Sequence, residues 1–291
     1  MMIPPTRVFK DDALDDFFRR EGYVVTPLLS PDEVEQLVKA HDELIPDIPG
    51  DFYVTMFTLN PDFRRAVSKA IDDVIQPAAL ALFDNYKTVI SSFISKRGSS
   101  KQGVMPIHQD FSFVDQDRFT GVHAWIPLID VDEHNGCLSV YPGSHSLINH
   151  TSALSCIEGE YHPSPYDSVR QILTEKCAVS VPMKAGTAMF FNERTLHSSE
   201  ENITPQNRIA ASSAYIPSGE SLRVYRRNQD GDDTLDILTV AEATQVHMHM
   251  GYVIQKPYTG VLQQIGKKPY KIEYLCPEDL LPLYREHRKS S

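Results

Sequence analysis

From about residue 86 to about residue 225 the chain is written as short apolar stretches punctuated by Gly, Pro and Asn, and this texture limits what it can fold into. Val89–Lys96, Val122–Ile129, Cys137–Tyr141, Val179–Met183, Thr187–Asn192 and Ile209–Tyr215 are each long enough for a strand and too short for an ordinary helix. Many brief strands predict a sandwich or barrel, because a sheet with an apolar face must bury it against another layer. The first third reads as helix. Leu14, Phe17 and Phe18 recur at spacings of three and four within Asp11–Glu21. Ser30-Pro31-Asp32-Glu33 combines a Ser N-cap, Pro at the first position and Glu three residues on, ahead of an apolar stripe of Val34, Leu37, Val38 and Leu44. Asn60-Pro61 opens a third helix carrying Phe63, Val67, Ile71 and Val74, which Pro77 is expected to break or kink before a second apolar segment, Ala78–Phe83.

Two stretches are less regular. Residues 152–176 form a long, mostly polar run with Gly159, His162, Pro163, Pro165 and Tyr166, read as a structureless flap near a site mouth or an idle surface loop. After Tyr225 polar loops lead to Pro277–Arg288, which looks like a closing helix. The expected organisation is one domain, with a helical part at 1–85, a β core at 86–225 and an extension at 226–291.

The 291 residues, 41% of them hydrophobic, suffice for a sizeable core. A net charge of −11 argues against a nucleic-acid partner, since phosphate binding needs clustered Lys and Arg. The basic residues at Lys267-Lys268 and at Arg285, Arg288 and Lys289 suit a solvated terminal segment. Cys137, Cys156, Cys177 and Cys276 show no C-x-x-C spacing and read as reduced thiols. With no apolar signal core near the start and no apolar run of membrane-spanning length, the expectation is a soluble cytoplasmic enzyme with no membrane partner.

Chemistry concentrates in His108-Gln109-Asp110, followed by His197 and, eleven residues later, Arg208. Two imidazoles and a carboxylate make the facial triad of non-heme Fe(II) oxygenases, which leaves coordination positions open. Side chains at i and i+2 of a strand share a face, so His108 and Asp110 can reach one metal while Gln109 points away. A lone H-x-D is weak evidence in a chain with 11 His and 39 acidic residues. Its surroundings make it specific. MPIHQDFSFVD, HAWIPLIDVDEHNGCLSVYPGSH and KAGTAMFFNERTLHSSEENITPQNRIAASSAYIP, spanning roughly 105–217, resemble the phytanoyl-CoA dioxygenase-like (PhyH) family of iron- and 2-oxoglutarate-dependent oxygenases.

That resemblance implies a mainly β fold, a double-stranded β-helix (jelly roll, cupin-like) with N-terminal helices packed outside. It implies Fe(II) held by His108, Asp110 and His197, 2-oxoglutarate as cosubstrate and O2 as oxidant, with decarboxylation to succinate and CO2. Arg208 matches the arginine that grips the cosubstrate's far carboxylate, for which a planar guanidinium is suited. Ser199 matches a hydroxyl donating to the same carboxylate. Trp125 resembles a tryptophan lining that pocket and equally suits core packing. His123 shares strand parity with Trp125 and should face the same interior, toward substrate or in a structural role. Ser91, Phe93 and Ser95 alternate along the preceding strand near positions where relatives contact 2-oxoglutarate, and Ser95 is carried as a cosubstrate residue. Phe57, Phe111 and Phe113 are candidates for an apolar substrate wall or for core. His145 and His247-Met248-His249 are read as non-metal.

The function expected is hydroxylation of a C–H bond in a small molecule, free or carrier-tethered, with a lean toward natural-product biosynthesis. Asp110 argues against halogenation, for which relatives free that coordination position. A non-catalytic cupin-like binding protein and a metal-dependent isomerase or hydrolase are the alternatives; neither requires a carboxylate clamp at Arg208. There is no H-E-x-x-H, G-x-S-x-G or G-x-G-x-x-G motif.

Overall fold

The structure, a computed structural model, describes residues 7–153, 163–227, 233–240 and 262–284. Three helices lie in the first third: α1 (Asp12–Glu21), α2 (Pro31–Leu44) and α3 (Pro61–Leu82). The starts of α2 and α3 follow the signals read at Ser30 and Asn60, and α1 has an Asp11 cap that the sequence reading did not single out. The Asp11 carboxylate accepts from Leu14 N, Ser30 and Glu33 close a reciprocal capping box, and Asn60 Oδ1 accepts from Asp62 N and Phe63 N. The expected break at Pro77 does not occur. The helix continues because Pro77 lies on its solvent side while Val74, Ile75 and Ala79 are buried, and that burial outweighs the lost backbone hydrogen bond.

The strands in chain order are β1 (Tyr23–Pro27), β2 (Phe52–Val54), β3 (Tyr86–Lys96), β4 (Met105–His108), β5 (Val122–Pro127), β6 (Leu138–Val140) and β7 (Val179–Val181). They continue with β8 (Thr187–Asn192), β9 (His197–Ser199), β10 (Arg208–Pro217), β11 (Arg223–Arg227), β12 (Thr234–Val240) and β13 (Leu262–Pro269). They form a six-stranded sheet ordered β1-β8-β5-β10-β3-β2, a four-stranded sheet ordered β4-β9-β6-β7 and a three-stranded sheet ordered β11-β12-β13.

Strand parity sorts the larger sheet into two faces. Phe93, Val122, Ala124, Phe190 and Ala211 join Leu37, Ile71 and Ile75 of the helices in one core cluster. Burying each large side chain there stabilises the fold by ~1.5–3 kcal/mol. From the opposite face Trp125, Met189, Phe191 and Ala210 pack with Leu138 and Val140 of the four-stranded sheet. Two facing antiparallel sheets with helices outside one of them are the jelly roll that the sequence implied.

Residues 152–176 depart from the expected structureless flap. Asp167–Cys177 forms successive helical turns, and Tyr166, Val169, Leu173 and Cys177 are buried against Ile107, Tyr141 and Leu196. Their three- and four-residue spacing places one apolar edge inward. Residues 154–162 of that stretch lie outside the described residues. The closing helix is a short 3-10 segment, Pro277–Leu283, and the expected continuation to Arg288 lies outside them too. Cys137, Cys177 and Cys276 are free thiols. Among the described residues no helix is long and apolar enough to cross a membrane.

Candidate active site

β4 and β9 are antiparallel neighbours, and His108 faces His197 across their pairing with ring centroids 4.1 Å apart. Asp110 lies two residues beyond the end of β4, so the shared direction expected of a strand is completed by the turn that follows it. One ligand atom each from His108, Asp110 and His197 lies within 4.8 Å of the others, a His-Asp-His triad. Asp110 Oδ1 is 3.8 Å from His108 Nε2 and 3.9 Å from His197 Nε2.

The remaining polar atoms of these three residues are already committed. His108 Nδ1 is 2.8 Å from the Pro106 carbonyl and His197 Nδ1 is 3.0 Å from the Thr195 carbonyl. A carbonyl only accepts, so each ring donates through Nδ1–H and its neutral form presents the Nε2 lone pair inward. Burial first, and His108 next, pull His197 down to about 4, which keeps it neutral near pH 7. Asp110 Oδ2 accepts from His123 Nδ1 at 2.9 Å. Burial works to raise the Asp110 carboxyl, but His123 and His197 outweigh it and hold the carboxyl well below the usual range. Two Nε2 lone pairs and one free carboxylate oxygen thus converge on a common point, a donor set that fits a non-heme iron ion.

His123 therefore supports the metal-binding carboxylate, a contact that sequence alone did not reveal. Its ring is stacked between Phe113 and Phe191, at centroid distances of 5.5 and 5.8 Å. Behind it lies Glu193, 1% exposed, accepting from Phe113 N at 3.2 Å and Gln116 Nε2 at 2.7 Å. Burial pushes the Glu193 carboxyl up to about 7, against the opposing effect of His123.

The triad opens into a cavity of about 280 Å³ between the two sheets, near the lower end of the roughly 300–1,000 Å³ usual for small-molecule sites. Arg208, Ser199 and Trp125 line it. Arg208 is 1% exposed; Nη1 donates to the Ile94 carbonyl at 3.2 Å, the guanidinium carbon lies 5.4 Å from the Trp125 ring centroid, and Nε has no partner. A buried guanidinium with an orphaned N–H and, among the described residues, no carboxylate paired to it calls for an anion. Burial lowers Arg208 to about 9, so it is cationic near neutral pH. Ser199 is buried, and its hydroxyl accepts from Lys96 Nζ at 2.8 Å.

Other sequence candidates fall elsewhere. Ser95 faces the helices, where its hydroxyl is 2.9 Å from His41 Nε2, and the cosubstrate contact expected of it is not available from there. Phe93 packs edge-on to His41, and Ser91 pairs with Ser213 at 2.9 Å on the same outer face. The residues of β3 that look into the cavity are the even-numbered ones, Ile90, Ser92 and Ile94. Phe57, Phe111 and Phe113 do line the cavity. His145 lies away from the triad, with Nε2 3.0 Å from the Arg19 carbonyl. His247 and His249 lie outside the described residues.

The class this geometry defines is that of the iron- and 2-oxoglutarate-dependent dioxygenases, and comparison with known proteins agrees. The chain belongs to the phytanoyl-CoA dioxygenase (PhyH) family, whose model matches residues 18–210. It is 33% identical to a phytanoyl-CoA dioxygenase of Arabidopsis thaliana over 251 residues, covering 70% of this chain and 87% of that protein. It is 25% identical to the ectoine dioxygenase of Sphingopyxis alaskensis, covering 68% and 73% of the two chains. Among solved structures, the α-ketoglutarate-dependent carbocyclase SnoK of nogalamycin biosynthesis matches with a TM-score of 0.55 at 23% identity, over 76% of this chain and 89% of that one. EctD of S. alaskensis with 2-oxoglutarate and 5-hydroxyectoine matches with a TM-score of 0.52 at 24% identity, over 73% and 78%. These structural likenesses establish the shared fold.

Proposed function

We propose that the cavity hydroxylates a C–H bond of a small, largely apolar molecule, with His108, Asp110 and His197 holding iron and Arg208 and Ser199 holding the far carboxylate of 2-oxoglutarate. The observation that carries this reading is the convergence of the triad and the unpartnered Arg208 Nε on one enclosed space. When bound, iron and 2-oxoglutarate supply the oxidising power, coupling decarboxylation of the keto acid to removal of hydrogen from substrate.

The chain's own residues select, orient and dry the site. The committed Nδ1 atoms of His108 and His197 fix both rings with Nε2 inward, and His123 holds Asp110 so that one oxygen remains free for the metal. Arg208 presents a fork to a carboxylate, and Trp125 against it limits where that carboxylate can lie. Phe57, Phe111, Phe113, Met56 and Ile90 add apolar lining that excludes water and suits an uncharged hydrocarbon surface. Arg208 is the single Lys or Arg among the described lining residues, which favours a substrate whose reacting end carries no anion of its own. A binding-only protein, or an isomerase that uses no keto-acid cosubstrate, has no need of a buried guanidinium beside the triad.

The test is turnover. Purified protein given Fe(II), 2-oxoglutarate and O2 should form succinate, faster when an apolar metabolite fraction supplies the substrate. Removing a buried charge partner typically costs ~2–5 kcal/mol, so Arg208→Ala should weaken 2-oxoglutarate binding roughly 30-fold or more. Absence of succinate from the wild-type protein across broad metabolite pools would refute the oxygenase reading of this cavity.

A further inference from the structure

Lys96 is 1% exposed and closes β3 directly opposite Arg208 in the β3–β10 register, so both side chains leave the sheet on its inner face. Its ammonium donates to Ser199 Oγ at 2.8 Å, to Ser199 O at 3.1 Å and to the Glu200 carbonyl. All three acceptors are uncharged, and among the described residues neither Lys96 nor Arg208 makes an ion pair. Two basic side chains are therefore buried side by side with no carboxylate paired directly to either, an arrangement that costs several kcal/mol per ion unless an anion joins them. The Lys96 bond also occupies a lone pair of the Ser199 oxygen, which leaves that hydroxyl's proton free to be donated into the cavity that Ser199 lines. Gly136 makes room for this lysine. A Cβ there would lie 3.2 Å from Lys96 Nζ and 2.6 Å from the Glu200 carbonyl oxygen.

We propose that Lys96 is a positioning residue of the cosubstrate site: it turns the Ser199 hydroxyl toward the far carboxylate of 2-oxoglutarate and adds a second charge to that of Arg208, so that loading the diacid is coupled to protonation of Lys96. The proposal rests on the reading of this cavity as a 2-oxoglutarate site and adds a residue and a regulatory variable to it.

The groups around Lys96 set the direction. Burial first, and Arg208 from β10 next, pull it down to about 7, while Glu200 and Glu201 after β9 and Cys137 ahead of β6 act in the opposite sense. The Phe52 ring of β2 lies 5.8 Å from Nζ and contributes only its face. A carboxylate arriving beside Arg208 favours the charged lysine, so the bound-state pKa lies above the free one. Affinity is then fully present below about pH 7. It falls as pH rises above that value, by up to about tenfold per unit for one proton, until the bound-state pKa is passed.

The experiment is the dissociation constant of 2-oxoglutarate from the anaerobic Fe(II)-loaded protein between about pH 6.5 and 9, for wild type, Lys96→Met and Lys96→Arg, with metal content measured alongside. The expected wild-type constant rises with pH above neutrality. Lys96→Met should bind weakly at every pH with little slope and with iron content unchanged. Lys96→Arg, whose charge does not titrate here, should bind well with little slope. A monocarboxylate keto acid such as 2-oxobutyrate should show no Lys96-dependent slope. Wild-type affinity and slope in both variants would overturn the role of Lys96 while leaving the site reading intact. If Lys96→Met does not fold, a Lys96→Arg profile as steep as wild type overturns it alone. A wild-type protein that binds no 2-oxoglutarate at any pH would remove the underlying reading and this inference with it.

Discussion

His108 and His197 each spend Nδ1 on the carbonyl two residues earlier, so the protein fixes the tautomer of its own metal ligands before any metal arrives. Asp110 is fixed from the side by His123. Replacing His123 by Phe keeps the ring between Phe113 and Phe191 and removes the hydrogen bond. The expected result is a 10–100-fold loss of Fe(II) affinity by equilibrium dialysis, largely restored by His123→Asn, whose amide nitrogen can occupy the place of Nδ1. Equal metal affinity in all three proteins would show that Asp110 needs no such support. The triad was legible in the sequence because parity and spacing survive without tertiary knowledge. His123 was legible only as an inward-facing residue, since its partner lies on a different segment. Ser95 was misplaced for a related reason: serines alternating along β3 mark one face, and only the pairing of β3 with β10 shows that the cavity face is the other one. Lys96 gave no signal, because a lysine ending a strand ordinarily reaches water.

At the scale of elements, residues with strong local chemistry announced themselves. The signals at Ser30 and Asn60 set two helix starts, the spacing of Leu14, Phe17 and Phe18 marked a third helix, and the apolar runs of β5 and β8 placed two central strands. Edge strands β1 and β2 were missed, being short and only partly buried, and so were the helical turns at Asp167–Cys177, whose apolar edge is diluted by polar neighbours. Pro77 does not end the helix, since packing of α3 on the sheet overrides its propensity. Pro77→Ala should accordingly stabilise the protein by about 1–2 kcal/mol, the restored helix bond being partly offset by a freer unfolded chain. Urea unfolding with an unchanged slope would measure this, and no gain in midpoint would mean that the ring itself packs usefully. Gly136 is the opposite case. At φ 78°, against the Glu200 carbonyl and above Lys96, it has no room for a side chain. Gly136→Ala should destabilise the fold by about 1–3 kcal/mol and weaken 2-oxoglutarate binding. Unchanged cosubstrate affinity would argue that Lys96 tolerates displacement.

For the whole molecule, β3, β4, β5, β9 and β10 all contribute to one cavity, so filling it should be felt globally. At a free ligand concentration of 100 times the dissociation constant, binding adds about 2.7 kcal/mol; iron with 2-oxoglutarate should therefore raise the thermal midpoint, and a chelator should return it to the apo value. The metal-free protein should also lose stability in acid. His197 and His150 are both pulled down to about 4 by burial, assisted by His108 and Lys268 respectively. Each is neutral in the fold and protonates near 6.5 once unfolded. Their contribution is intact above about pH 6.5 and declines as pH falls toward 4, by up to about 1.4 kcal/mol per unit for each ring. The most direct test of the central claim is an anaerobic titration of the Fe(II)-loaded protein with 2-oxoglutarate, followed by visible absorption. The account predicts a weak charge-transfer band that saturates at one cosubstrate per chain, is absent from His108→Ala because iron is lost, and needs far more cosubstrate in Arg208→Ala. A wild-type protein without the band, or a band unaffected by either substitution, would contradict it.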